Sequence, residues 1–289
     1  TLVSGLTLAE APGTVKPGDL TSVKHYSPYA FRNFPDKVLF GDMHIHSNLS
    51  PDAGLLGTSL SAADVFRAAR GETVMSNTGQ PFRLVRPLDF LVLTDHAEAM
   101  GLAPMVRESN PVLLSSKRGR EVWEAFNAGR EQAMKAFAGM LADVSAGRDP
   151  FSDIDMAGSI WPEFVKLADT YNQPGVFTAM TGFEWTSQPN GNNLHRIVVF
   201  ADGADKTSRV RPFSLFDSQD PAKLWDYMER YEALTGGRVF AHVHNGNLSN
   251  GLAFTAATFD GTPMDAAYAA RRSRWEPIME ITQIKGDGE

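Results

Sequence analysis

Apolar residues recur along this chain in short blocks of strand length. From Lys37 onward the blocks occupy Val38–Ile45, Leu88–Thr94, Val176–Glu184, His195–Ala201, Arg238–Val243 and Pro277–Ile284, each bounded by polar, Gly or Pro residues. Helical spacing fills most intervals. Ser61-Ala-Ala-Asp64 resembles a capping box opening a helix to about Arg70. Val122, Phe126, Ala133, Phe137 and Leu141 lie near helical spacing and predict one long helix over Arg120–Val144, with another over Trp161–Tyr171. Asp220-Pro221 starts a further helix that Gly236-Gly237 ends. Strand and helix in alternation predict a largely parallel α/β sheet or barrel. One connection differs: the turn-rich stretch between Glu184 and His195 is too short for a crossover helix. The flanking strands are therefore expected to form a hairpin that brings these two residues together. Residues 1–36 carry scattered Pro and Gly without an apolar period and predict an irregular arm, leaving residues 37–289 as the α/β core domain.

The length of 289 residues suits a single α/β barrel. A net charge of −7 argues against nucleic-acid binding by phosphate neutralisation. The longest apolar runs, such as Phe90–Leu93 and Ile197–Phe200, are far too short to span a membrane. Cysteine is absent, which excludes disulfides, thiolate zinc sites and cysteine nucleophiles. The chain opens at Thr1 without Met or a leader, so a processed or trimmed N-terminus is expected.

The placement of histidine carries the chemistry. Of the seven, all but His25 lie at or beside the ends of apolar blocks: His44, His46, His96, His195, His242 and His244. His44 and His46 stand at i and i+2 of a strand, so their imidazoles face one space and offer two neutral nitrogen ligands to a metal. In Leu91-Val-Leu-Thr-Asp-His-Ala-Glu98, His96 reads as a ligand and Asp95 as the group holding an imidazole's other ring nitrogen. The rival reading there is a capped strand end with a solvated acidic cluster. Glu184 ends an otherwise apolar run, where a lone buried carboxylate is costly unless paired or metal-bound, and a carboxylate bridging two cations accounts for it. Of the second i, i+2 pair, His244 lies nearer the strand end and is the expected ligand. His242 is either an inner ligand or a core histidine.

No Gly-x-Ser-x-Gly, His-Glu-x-x-His, P-loop or Gly-x-Gly-x-x-Gly motif occurs, which removes serine hydrolases, metzincins, P-loop enzymes and ordinary dinucleotide enzymes. The ordered motifs Gly41-Asp-Met-His-Ile-His-Ser47, Ser50-Pro-Asp-Ala-Gly54, Leu93-Thr-Asp-His-Ala97, Gly182-Phe-Glu184 and Leu194-His-Arg196 resemble the PHP (polymerase and histidinol phosphatase) superfamily. More narrowly, with Arg86-Pro-Leu-Asp-Phe-Leu91 and His244-Asn-Gly-Asn-Leu-Ser-Asn-Gly251, the chain is similar to an exported bacterial branch of it over residues 27–289. The resemblance implies a distorted (β/α)7 TIM-like barrel with two or three divalent ions (zinc, manganese or iron) at its strand ends, and a periplasmic or secreted location. It implies that His44, His46 and Glu184 hold one metal, that Asp52 and His96 serve a second, and that His195 and the His244 region complete the set. The superfamily's last ligand pair, an Asp-x-His near the final strand, has no match after His244. With about six strands legible, the barrel is expected to be completed by residues outside this chain.

The implied chemistry is phosphoester hydrolysis by metal-activated water on a small anionic substrate. Arg196, Asn245 and Lys285 are the expected anion-holding residues, although Arg196 directly follows His195 and would face the opposite side of a strand. One rival is an amidohydrolase-like ester or lactone hydrolase, whose usual mid-barrel lysine finds no match here. The other is a metal-binding domain without catalysis.

Overall fold

A computed structural model describes residues 37–288, and Leu39–Glu289 forms one contact unit; the expected arm over residues 1–36 lies outside the described residues. In chain order the strands are β1 (Gly41–Ile45), β2 (Val74–Met75), β3 (Pro81–Phe82), β4 (Phe90–Leu93), β5 (Thr178–Trp185), β6 (Arg196–Phe200), β7 (Val239–Val243), β8 (Ile278–Met279), β9 (Thr282–Gln283) and β10 (Gly286–Asp287). Six of them pair into one sheet in the order β1-β4-β5-β6-β7-β8, while β2 with β3 and β9 with β10 form separate two-stranded pieces. The fold is mixed α/β.

The β5–β6 pair is antiparallel, as the short connection requires, with Trp185 opposite Arg196. The pairs β1–β4, β4–β5 and β7–β8 are parallel, and β6–β7 is antiparallel. These directions bring the ends of β1, β4, β5, β7 and β8 and the start of β6 to one rim of the sheet. Successive β6 residues serve opposite faces. Val198 and Phe200 join Phe66, Trp161, Phe183 and Trp225 in the large core, whereas Ile197 and Val199 pack with Val92 on the other face. Burying each such large side chain contributes about 1.5–3 kcal/mol relative to exposure. The sheet curls: His44 on β1 comes within 2.7 Å of Glu280, the residue after β8.

The helices are α1 (Pro51–Leu55), α2 (Ala62–Ala69), α3 (Leu102–Arg107), α4 (Pro111–Ser115), α5 (Lys117–Ala128), α6 (Arg130–Ser145), α7 (Met156–Tyr171), α8 (Ala204–Thr207), α9 (Pro221–Thr235) and α10 (Ala266–Trp275). The capping box at α2 forms, with Ser61 Oγ accepting from the Asp64 N–H and Asp64 accepting from the Ser61 N–H. Asp220 caps α9, and Gly236 ends it in the left-handed conformation at φ 63°.

Three expected elements differ. The single helix over Arg120–Val144 is two, because Gly129 adopts φ 122° and ψ 175° and breaks the hydrogen-bond ladder. α7 begins at Met156 rather than Trp161, since Asp155 accepts the Gly158 N–H at 2.9 Å and starts the helix earlier. The block Pro277–Ile284 divides into β8, the turn at Glu280 and Ile281, and β9, which turns back onto β10. Between β4 and β5, residues of α3 to α7 and Phe151 build a second apolar cluster, which includes Leu102, Met105, Leu113, Val122 and Met140. Among the described residues no helix is long and apolar enough to cross a membrane.

Candidate metal centre

The rim gathers five histidines around one carboxylate. Glu184, 1% exposed near the end of β5, places Oε2 at 3.3 Å from His44 Nε2, 2.8 Å from His46 Nε2 and 3.7 Å from His96 Nε2. Its Oε1 lies 2.6 Å from His195 Nδ1 and 2.9 Å from His244 Nε2. The β1 histidines converge with help from a bulge: between Asp42 and Ile45 the strand carries one residue more than β4 opposite, which re-aims its side chains.

Most of these imidazoles are oriented from behind. His44 Nδ1 meets Glu280 Oε2 at 2.7 Å, His46 Nδ1 meets Asp52 Oδ1 at 3.3 Å, and His96 Nδ1 meets Thr186 Oγ1 at 2.6 Å. His244 Nδ1 meets Asn245 Oδ1 at 3.0 Å. Each partner leaves Nε2 free to point at Glu184, the arrangement by which outer groups fix a metal-binding imidazole. The second oxygen of Asp52 lies 3.3 Å from His96 Nε2, so Asp52 also faces the cluster.

These residues fit cations better than they fit one another. His46 Nε2, His244 Nε2 and Glu184 Oε2 are fully buried, close together and without an aligned hydrogen-bond partner. Buried polar atoms are rarely left this way unless something else satisfies them. Four overlapping groups have ligand atoms within 4.8 Å of one another: His44–His46–Glu184, His46–Asp52–His96, Glu184–His195–His244 and His44–His244–Glu280. Neutral imidazole with a few carboxylates is the donor set of divalent transition metals.

Several expected roles are corrected. Asp95 holds no imidazole: it accepts from Ser47 N–H and Oγ–H, both at 2.7 Å, and from Ser50 N–H at 3.1 Å, fixing the turn that carries Asp52. Arg196 faces away from the cluster and is buried against Glu276, with Nε 3.1 Å from Oε1, while Nη1 donates to the Leu194 carbonyl. It lines a different cavity, with Trp225, Tyr268 and Arg272, rather than the cleft at the histidines. Asn245 turns its Oδ1 to His244 and leaves Nδ2 buried without a partner, in a left-handed backbone turn at φ 50°. Lys285 alone of the expected anion-holders borders the cleft formed by His44, His46 and Asp52. His242 is 3% exposed with neither ring nitrogen bonded, and lies outside all four groups. Glu98 is tied by Oε1 to the Leu215 N–H at 2.6 Å.

Sequence reading missed Glu280, Thr186 and Gln188. Glu280 carries the signal that singled out Glu184, a carboxylate ending an apolar run, here Pro277-Ile-Met279. Gln188 Nε2 lies 3.2 Å from His195 Nε2; nothing in the local pattern marks it.

Electrostatics link the cluster to pH. Burial opposes charge on His44 and His46, but Glu184 with Glu280, and Asp52 with Glu184, outweigh it and raise them to about 9 and about 10. Burial dominates at His195, held down to about 4. Burial also opposes charge on Glu184, yet the surrounding imidazoles keep its carboxyl well below the ordinary range. Without a cation, the folded chain retains protons on His44 and His46 that the unfolded chain releases above 6.5. Burial raises Asp95 and Glu98, so they act in the same direction. Chelator-treated protein is therefore expected to lose stability as pH rises from 6.5 through about 9. A bound divalent cation replaces those protons and removes the loss. Urea midpoints that stay level or rise over this interval in chelator would contradict the arrangement.

A family model described as "Protein of unknown function (DUF3604)" matches residues 33–289. Comparison with curated proteins found no match, and comparison with solved structures found none. The chain thus belongs to the DUF3604 family, whose model spans the whole curled sheet and its histidine rim.

Proposed function

We propose that the chain is a metal-dependent hydrolase of PHP type, holding two or three zinc, manganese or iron ions and cleaving a phosphoester. The observation that carries this reading is the convergence of five imidazoles on buried Glu184, with orphaned atoms aimed at one another. The curled sheet, with every candidate ligand at or near one rim, supports a barrel of that type. Glu280 supplies a carboxylate after the last strand of the sheet, where the superfamily's final ligand pair had no sequence match.

Divalent cations, when bound in such a centre, activate water and polarise the phosphoryl oxygens. The chain's own residues do the rest. Glu184 belongs to two of the four ligand groups and would bridge the cations they hold. Asp52 and Glu280 add negative charge on either side of it. Lys285, bordering the same cleft, provides the cation that meets an anionic substrate. The amidohydrolase rival's usual mid-barrel lysine finds no counterpart in the sequence.

Screening the purified protein against chromogenic phosphomonoesters and phosphodiesters, with and without chelator, tests the reading. Phosphoester turnover abolished by chelator and restored by zinc or manganese is expected. Turnover confined to carboxylic esters or lactones would contradict the phosphoester assignment, and metal uptake without turnover on any of these substrates would contradict the catalytic one.

A further inference from the structure

A second cavity, of about 330 Å³, opens beside the metal centre, and its walls describe the substrate. At one end stand Asp52, His96 and His195, three residues of the cluster, with Lys285 beside them. Much of the remaining lining is apolar, with Phe137, Met140, Leu141 and Val144 from α6 beside Phe151 and Leu102; Glu98, Thr186, Gln188 and Asn193 are the further polar residues. The apolar side chains come from the insertion between β4 and β5, so the extra helices build a pocket wall over the site as well as their own small core. Lys285 borders both this cavity and the cleft along His44 and His46, which places a cation where the two spaces meet.

From this arrangement, and resting on the metal-centre reading above, we infer that the substrate is an anionic monoester of an apolar cyclic alcohol of one or two rings. Its anionic head lies at Lys285 and the cluster, and its ring system lies against the α6 wall. The size follows from the space. An apolar cavity of about 150 Å³ accommodates benzene, so a volume of about 330 Å³ takes roughly two rings. The chemistry follows from the mostly apolar lining: Thr186, Gln188 and Asn193 can pair a few hydroxyls, but a sugar or nucleotide would leave others unpaired against Phe137, Met140 and Val144. In the reaction, water adds to phosphorus, the P–O bond to the alcohol breaks, and the apolar alcohol leaves with the proton that water gives up, beside inorganic phosphate. A leaving group without charge suits a pocket that offers it apolar surface.

Calorimetric titration of the purified protein with three non-hydrolysable ligands, methylphosphonate, phenylphosphonate and 1-naphthylphosphonate, tests the inference. Affinity is expected to rise in that order, by at least about 30-fold from methyl to naphthyl, as apolar burial accumulates. Leu141 is half-exposed, so Leu141→Gln disturbs little of the core, and it is expected to shrink that ratio several-fold. Methyl and naphthyl affinities within about threefold of each other, no binding of either, or a ratio untouched by Leu141→Gln would each overturn the proposal. Metal content measured on the same sample reports separately on the centre. A metal-free protein that kept the naphthyl preference would uphold the apolar pocket and refute the metal reading.

Discussion

Replacing Glu184 with Gln is expected to strip the centre of metal. The substitution keeps size and shape but removes the charge that faces His44, His46, His96, His195 and His244. An amide cannot balance two or more divalent cations, and one of its two ends would present N–H groups to ring nitrogens now occupied by carboxylate oxygens. Loss of a group that merely orients a ligand costs about 10–100-fold in metal affinity or activity. Loss of the shared carboxylate is expected to exceed about 100-fold in affinity, read by competition with a chromogenic chelator, and to abolish any turnover. Affinity within about tenfold of the parent chain would mean that Glu184 is not a ligand. Removing an isolated buried charge that the imidazoles merely offset would give that smaller effect.

The second large effect concerns stability. Glu276 is 2% exposed and takes both Nε–H of Arg196 at 3.1 Å and the Trp225 indole N–H at 3.0 Å on one oxygen, with Arg272 Nε at 3.2 Å on the other. Burial pushes its carboxyl up, and the two guanidinium groups outweigh that and hold it below the ordinary carboxylate range. Glu276→Gln leaves Arg196 charged and buried without a counter-ion. Breaking a buried pair in this way costs about 3–5 kcal/mol, or roughly 6–20 °C in melting temperature for a domain of this size. Metal content should be unchanged, because Glu276 belongs to none of the ligand groups. A melting temperature within about 2 °C of the parent would show that the Arg196–Glu276 pair is not a fixed element of the core, and would restore Arg196 as a candidate for binding substrate.

The parts of the fold legible in sequence were those set by local pattern. Apolar blocks of strand length became the six-stranded sheet, and the capping residues Ser61, Asp64, Asp220 and Gly236 act where their chemistry predicts. Histidines at block ends met at one rim because strand ends converge wherever a sheet curls. The short Glu184–His195 connection could only be a hairpin, and the two side chains meet at 2.6 Å. What escaped was the choice of partner, which depends on elements far apart in the chain. Asp95 was as able to hold an imidazole as to hold Ser47 and Ser50, and only the path of the chain after β1 decides between them. Alternation along β6 turns Arg196 away from His195, but its partner there, Glu276, lies 80 residues later and is invisible to local pattern. Glu280 is hidden because the apolar block continues in sequence through Ile281 to Ile284, whereas the strand ends at Met279. The apolar cavity takes four of its lining residues from α6, which begins only after the break at Gly129 that a continuous helical period over Arg120–Val144 conceals.

The most direct test of the central claim is elemental analysis by plasma mass spectrometry of the protein purified without chelator, beside its Glu184→Gln variant. Two or more equivalents of zinc, manganese or iron per chain, lost in the variant, is the predicted result. Less than about 0.1 equivalent in the parent chain, even after reconstitution with zinc and manganese, would contradict it. The rim would then be an imidazole–carboxylate hydrogen-bonded cluster rather than a metal centre.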